Sequence, residues 1–264
     1  MLLAALLTAA AHAEDLLPRI LPIPPDAHAV VKSVPTAGRA APELTRVSAV
    51  KNKITDEDAW FSTNDLHLPV LETRPDWMPD AIGGRPLIRV IDQGSTLTAL
   101  FGTGNDASVV VVYGADRQVR GAWDVGSWLT PKKAVRGDEA FVHGGVRWAW
   151  IVEDILYLST SHRTYASTSY GKNAYVTAID VATGDLRWRS DPLVCNATSF
   201  VVIRDAIVCG YGFTGEPDAM VLLDRADGRV LSRTTLSTGP DWFVLADDKL
   251  YVRTYDTDYV FGVK

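Results

Sequence analysis

The chain is poor in the residues from which metal sites and nucleophilic centres are built. Its 264 residues include two cysteines, five histidines and three methionines. Two thiols cannot complete a structural zinc site by themselves, and no two histidines have the i, i+4 spacing of a helical metal site. A G-x-S-x-G motif and a glycine-rich loop leading into a helix are also missing. We therefore assign no catalytic residue, no metal and no cofactor, and we favour a protein that is not an enzyme.

An excess of positive charge is lacking as well. Lys and Arg number 26 against 32 Asp and Glu, which gives a formal charge of -6. A nucleic-acid-binding protein needs a basic face, so we expect no nucleic-acid partner. Hydrophobic residues make up 47% and charged residues 22% of the chain, which is ordinary for a globular protein.

Hydrophobic runs are short everywhere, and the longest stands at the N-terminus. Residues 1–11 are apolar except Thr8, and they are followed by the small-x-small sequence Ala11-His12-Ala13. Such a run is too short to cross roughly 30 Å of hydrocarbon. We predict that residues 1–13 are a cleaved signal peptide and that the protein is periplasmic or secreted, without an integral membrane segment. The alternative is an apolar N-terminal helix in the core.

The two cysteines, Cys195 and Cys209, leave two interpretations open. Export would permit a disulfide between them. Each cysteine also lies where a small buried hydrophobic residue would suit a β-strand.

Proline is concentrated near the N-terminus and separates two regions. Residues 14–42 contain a cluster of prolines, a density that breaks helices and central strands. We predict a proline-rich tether over residues 14–42 and a folded domain over residues 43–264.

Short β-branched runs recur in the folded domain at a nearly fixed spacing. An apolar pair or triplet, a turn with aspartate and a second apolar strand occur three times. The aspartates of these turns, Asp154, Asp205 and Asp248, are 51 and 43 residues apart. No helical stripe interrupts the runs after residue 86, so we predict an all-β domain. Four strands in about 43 residues are typical of a β-propeller blade.

A second repeated element carries a resemblance to a known family. The segment 178–188, Ala-Ile-Asp-Val-Ala-Thr-Gly-Asp-Leu-Arg-Trp, resembles the A-x-D-x-x-T-G-x-x-x-W motif of quinoprotein-type (PQQ-like) β-propeller repeats. A second copy keeps Asp224 and Gly228 but has Ser232 in place of tryptophan, and a degenerate copy ends at Trp123. The resemblance implies that the aspartate and glycine shape a turn and that Trp188 docks neighbouring blades.

The resemblance implies a fold rather than a chemistry. The dehydrogenases of that family use a quinone cofactor and calcium, and they are longer chains with typically eight blades. Their vicinal disulfide has no counterpart, because Cys195 and Cys209 are not adjacent. No cofactor-binding residue can be carried over to this chain.

The end of the chain predicts how the ring closes. The last strand, near residues 259–263, leaves no room for a fourth strand, so an N-terminal strand must complete the last blade. Residues 46–50 are a candidate. We therefore expect a small β-propeller of four to five four-stranded blades, with the fifth, if present, in a diverged segment at residues 45–85.

Two loops are the best candidates for a binding site. Residues 159–173 and 211–218 occupy equivalent places in consecutive repeats, so both loops should emerge on one face. Their tyrosine, serine, arginine and glycine content suits adaptable recognition. We predict that a protein or peptide partner binds there, and the candidate residues are Arg163, Tyr165, Tyr170, Tyr211 and Phe213.

The predicted function is therefore an exported, non-catalytic β-propeller scaffold. Two alternatives remain: an enzyme that holds a small ligand in the propeller funnel, and an envelope-assembly scaffold. An enzyme would need histidines or carboxylates that converge from several blades.

Overall fold

The computed structural model describes residues 16–264, which fold mainly into antiparallel β-strands. The all-β prediction is confirmed. The predicted signal peptide lies outside the described residues. Within the described part of the chain, no helix has the length and apolar character needed to cross a membrane.

Nineteen strands and one α-helix make up the regular structure. In chain order they are β1 (Arg19–Ile20), β2 (Ala29–Val30), β3 (Leu44–Lys51), α1 (Glu57–Thr63), β4 (Ala81–Ile82), β5 (Arg85–Asp92), β6 (Thr96–Thr103), β7 (Asp106–Gly114), β8 (Val119–Asp124), β9 (Gly144–Val152), β10 (Ile155–His162), β11 (Tyr175–Asp180), β12 (Leu186–Arg189), β13 (Val201–Ile203), β14 (Ala206–Tyr211), β15 (Ala219–Asp224), β16 (Val230–Thr235), β17 (Pro240–Ala246), β18 (Lys249–Thr254) and β19 (Thr257–Val263). Short 3-10 turns lie at residues 54–56, 126–128, 139–141 and 166–169.

The longer strands form four sets of four antiparallel strands. Set 1 is β5–β8, set 2 is β9–β12, set 3 is β13–β16, and set 4 is β17–β19 with β3. Sets 1 and 2 belong to one larger sheet, because β7 and β9 pair at Ala107 and Val146. The β-branched run Val109–Val112 lies in β7 and is fully buried, as expected for a strand covered on both faces.

The N-terminal strand completes the C-terminal set. β3 pairs antiparallel with β19 from Leu44 opposite Val263 to Lys51 opposite Thr257. The candidate strand at residues 46–50 lies inside β3, so this prediction is confirmed. The third and the last strands of the described chain therefore lie side by side in one sheet.

The segment at residues 45–85 does not contain a further four-stranded set. After β3, the described chain forms α1 and the two-residue strand β4. Trp60 of α1 is buried against Trp242 and Val244 of β17. Packing of these large aromatic side chains takes the place of a further sheet.

The predicted tether is wrong for its described part, residues 16–42, which we call the strap. β1 pairs with β8 of set 1, and β2 pairs with β12 of set 2. Farther along, the Val34 amide donates to Ala226 O at 2.8 Å, beside set 3. The prolines fall between these short pairings at sheet edges, where a missing amide donor is tolerated.

Tryptophans connect neighbouring sets, as the repeat motif implies. Trp188 of β12 is fully buried, and its Nε1 donates to Arg225 O in the next set at 3.0 Å. Its ring lies against Gly228, where an added Cβ would come within 2.3 Å of Cε3. Trp123 of β8 also lies near Gly184 of set 2, where an added Cβ would come within 3.2 Å of Trp123 Nε1 and 2.7 Å of Arg19 Nη1. The docking role predicted for Trp188 is confirmed, and the degenerate copy at Trp123 performs it too.

The aspartate of the motif shapes its turn. Asp180 Oδ1 accepts the Thr183 amide at 2.9 Å, and the Gly184 amide donates to Asp180 O at 2.7 Å. Gly184 has φ of 72°, a left-handed conformation that glycine adopts without steric cost.

The cysteines are both free thiols and fully buried in the core. Cys209 Sγ donates to Val194 O at 3.2 Å. In this structure the two residues thus act as small core side chains, the second of the two interpretations left open by the sequence.

Candidate functional site

A cleft of about 830 Å³ opens at one end of sets 2, 3 and 4. Its walls are the beginnings of β9 and β17, the ends of β10 and β18, and the loops that follow β10, β12, β14, β16 and β18. The side chains that line it include Arg147, His162, Arg163, Phe213, Asp218 and Asp241. The volume lies in the range of typical ligand sites, about 300–1,000 Å³.

The two loops that follow β10 and β14 contact each other beside the cleft. The rings of Tyr165 and Phe213 meet edge to face, with centroids 5.0 Å apart. The Ala166 amide donates to Glu216 Oε1 at 2.7 Å, and the Tyr211 hydroxyl donates to Glu216 Oε2. The loops therefore emerge on the same side, as the repeat predicts, and Glu216 holds them together.

The predicted binding residues divide into three groups. Arg163 is exposed, Phe213 is half-buried, and both line the cleft. Tyr165 is 45% exposed and Tyr170 is 62% exposed, but neither lines the cleft. The expectation that Tyr211 lies at the surface is wrong: its side chain is 3% exposed and bonded to Glu216. Burial is the larger and the Glu216 carboxylate the smaller of two causes that raise the pKa of Tyr211.

Arg147 on β9 is the cleft residue that sequence reasoning missed most clearly. Its guanidinium donates to Ser161 Oγ at 3.1 Å, to Ser161 O at 2.7 Å and to Asp106 Oδ1 at 2.9 Å. Burial, and next the charge of Arg163, lower its pKa below the usual range. An arginine inside an otherwise apolar strand was the signal that could have identified it.

Acidic groups occupy another part of the wall. Asp218 Oδ1 is buried without a hydrogen-bond partner among the described residues. Burial raises the pKa of Asp218, and the nearby carboxylates of Glu216 and Asp256 raise it further. On β17, the carboxylate of Asp241 accepts from the Thr198 hydroxyl. The lining of the cleft thus contains both arginines and carboxylates.

His162 is placed against Ser169, but the pair is not arranged for nucleophilic catalysis. His162 Nδ1 accepts from the Thr164 amide at 3.4 Å, so Nε2 carries the proton and donates to Ser169 Oγ at 2.8 Å. Ser169 Oγ in turn donates to Ala166 O at 3.2 Å and is fully buried. A nucleophilic serine would need to donate to the imidazole instead.

No group of three or more His, Cys, Asp or Glu side chains in residues 16–264 is arranged to hold a metal ion. The alternative of a funnel enzyme therefore has neither a metal cluster nor an activated serine in the described part of this site to support it.

Comparisons with known proteins give only distant similarities. The sequence matches no protein-family model and no curated protein. The computationally designed Ika4 protein matches with a TM-score of 0.38 and 9% identity, over 66% of this chain and 88% of that one. BamB from Moraxella catarrhalis matches with a TM-score of 0.28 and 13% identity, over 69% and 68%. A europium-containing methanol dehydrogenase matches with a TM-score of 0.38 and 11% identity, over 67% and 47%.

Proposed function

We propose that this chain is a small exported β-propeller that binds a peptide segment of a partner protein in the cleft. In this proposal each strand set is one blade, and the four sets are arranged in a ring. The cleft lies at the mouth of the funnel that the ring encloses.

Contacts between consecutive sets support the ring. Gln93 of set 1 exchanges two hydrogen bonds with the Ile151 backbone of set 2, both 2.9 Å long. Trp188 joins set 2 to set 3. Ser199, just before β13, bonds the Phe243 backbone of set 4 through its hydroxyl. Each set is thus tied to the next along the chain.

Residues after β3 supply the remaining link between set 4 and set 1. The ring of Phe61 in α1 meets Trp242 of β17, with centroids 5.5 Å apart. Nine residues on, Val70 pairs with Ile91 of β5, and the Leu71 amide donates to Val90 O at 3.0 Å. This bridge supports closure of the ring without a fifth blade.

The observation that carries the binding function is the combination of cleft size and rim chemistry. Phe213 and the exposed Tyr255 line the cleft, and the exposed ring of Tyr165 lies beside it in contact with Phe213. Aromatic side chains on loops held by rigid sheets supply contact area at small entropic cost. Gly212 and Gly239 also line the cleft, and the amide and carbonyl of Gly212 are both bonded to the Asn196 side chain, which fixes this part of the wall.

A phage-displayed random peptide library tests this function. We expect the protein to select peptides with a common sequence, and the double variant Tyr165→Ala/Phe213→Ala to bind them at least about tenfold more weakly, since buried aromatic anchors dominate such interfaces. Leu245→Ala is the matched control, because Leu245 is an exposed apolar residue near the opposite end of β17. Failure to select any peptide, or unchanged binding by the double variant, would overturn the proposal.

A further inference from the structure

Three arginines from two strand sets lie close together at the cleft: Arg147 and Arg163 line it, and Arg89 is bonded to the Arg147 backbone. Arg89 lies on β5, Arg147 on β9 and Arg163 just after β10. Arg89 Nη1 donates to Arg147 O at 3.2 Å, and its Cζ lies 5.5 Å from the ring centroid of Trp148. Strands of neighbouring sets therefore bring these residues together across 74 positions of sequence.

The three guanidinium groups affect one another. Burial lowers the pKa of Arg89, and the charge of Arg163 lowers it further, while Asp241 acts in the opposite direction. Burial, and next the charge of Arg163, also lower the pKa of Arg147. All three groups stay charged near neutral pH, because an arginine guanidinium does not lose its proton in proteins.

One of these three arginines, Arg147, forms an ion pair with a carboxylate of the described chain, and the other two form none. Arg147 forms an ion pair with Asp106 at 2.9 Å. Neither Arg89 nor Arg163 forms an ion pair with any carboxylate in residues 16–264. Asp241, the acid that acts on Arg89, is bonded to Thr198. Within residues 16–264, Arg89 and Arg163 therefore have no direct ion-pair partner, while the carboxylates of Glu57, Asp218 and Asp241 also line the cleft.

The free donors determine which ligand group would fit. Arg163 makes no hydrogen bond within the described chain through its side chain, and Arg89 uses only Nη1. A guanidinium with two free donors binds a carboxylate in a bidentate manner, and this is the strongest hydrogen-bonded pair available to a peptide ligand. A ligand seated in the cleft would partly cover this pair, and solvent would then screen the two charges less.

We propose that the cleft anchors its peptide ligand by a carboxylate, which Arg163 binds at the wall, while the nearby charge of Arg89, which does not itself line the cleft, also attracts it. The inference rests on the peptide-binding function proposed above and adds the ligand's charge to it. The carboxylate belongs either to the C-terminus of the peptide or to an aspartate or glutamate side chain, and the experiment distinguishes these two sources.

The first test uses one selected peptide in three synthetic forms. One has a free C-terminus, one is amidated but keeps its acidic side chains, and one is amidated with Asp and Glu replaced by Asn and Gln. We expect the fully neutral form to bind about tenfold to a hundredfold more weakly than at least one of the others. The form that retains affinity identifies the source of the carboxylate. Equal binding by all three forms would overturn the inference.

Matched variants assign the preference to the cleft. Arg163→Ala should remove the difference between charged and neutral peptides. Arg46→Ala removes the same charge from the exposed outer face of β3 and should preserve the difference. Arg163→Lys keeps the positive charge but lacks the planar guanidinium that binds both oxygens of a carboxylate, so it should recover only part of the preference for charged peptides. A preference that persists in Arg163→Ala would contradict the assignment.

A second test is independent of any selected peptide and uses N-acetylglycine as the probe. We expect the side-chain NH signals of Arg163 and Arg89 to shift in NMR spectra as N-acetylglycine is added, while those of Arg46 shift no more than in sodium chloride at equal ionic strength. Absence of selective shifts would overturn the carboxylate site. If the library yields no peptide, the proposed function fails, and this titration still decides the present inference.

Discussion

At the scale of single residues, burial decides the charge of His162. The residue ends β10 with a side chain 4% exposed, and its amide donates to Asn173 Oδ1 at 2.8 Å. Burial lowers the pKa of His162 to about 4, and the positive charge of Arg147 acts in the same direction. His162 is therefore neutral in the folded protein at neutral pH and holds the loop after β10 as a hydrogen-bond donor to Ser169.

This depressed pKa makes stability depend on pH. In the unfolded chain the pKa of histidine is about 6.5. Between about pH 6.5 and pH 4 the unfolded chain binds a proton at His162 that the folded protein does not, so the free energy of unfolding falls as the pH falls. His162→Gln keeps a donor for Ser169 but cannot titrate. We expect urea unfolding to lose less stability between pH 7 and pH 4.5 in this variant than in the wild type. Parallel pH profiles would contradict the prediction.

At the scale of elements, the glycine of a turn packs against a tryptophan of the preceding strand set. Gly184 and Gly228 both have positive φ, and each lies against a buried indole. A side chain at either position would disturb the turn and also the contact between two sets. The turn and the inter-set contact therefore depend on the same residue.

A pair of alanine substitutions separates these two effects. Gly94 has φ of 77° and open space around its Cα, so Gly94→Ala should cost only about 1–2 kcal/mol of backbone strain. Gly228→Ala carries the same strain at φ of 76° and places a Cβ 2.3 Å from Trp188 Cε3. Overpacking adds about 1–3 kcal/mol, so Gly228→Ala should be the less stable variant in urea unfolding. Similar losses of unfolding free energy in the two variants would contradict this prediction, because they would show that the Trp188 ring moves aside at no energetic cost.

At the scale of the whole molecule, the N-terminal region ties the strand sets together. The strap runs along sets 1, 2 and 3 in turn, and β3 then becomes the outer strand of set 4. Leu21 and Val34 of the strap are buried in the largest core cluster. The first residues of the folded protein thus contact all four sets.

Two truncations test the role of β3. A chain of residues 43–264 lacks the strap but keeps β3, whereas a chain of residues 53–264 lacks both. We expect the first to stay free of aggregates, with reduced stability. The second should aggregate, because loss of β3 exposes the hydrogen-bonding edge of β19. Light scattering and size-exclusion chromatography measure the difference, and equal behaviour of the two chains would contradict the role assigned to β3.

Features carried by short segments were predictable from the sequence. The β-branched runs indicated strands, the aspartate–glycine spacing indicated turns such as that at Gly184, and residues 46–50 were identified as the strand that completes the last set. Each of these features follows from side-chain alternation or from the φ that a turn requires. They depend on neighbours along the chain, which the sequence states directly.

Features that depend on which strand sets are neighbours were decided only by the tertiary structure. The packing of the strap, the burial of Tyr211 and the gathering of Arg89, Arg147 and Arg163 all join residues far apart in sequence. A one-residue change in strand register moves a side chain to the other face, so no local pattern determines which side chains meet in the cleft. The sequence by itself thus determined the strands, their turns and the completing strand, whereas the three-dimensional packing of the sets decided the charge and shape of the candidate site.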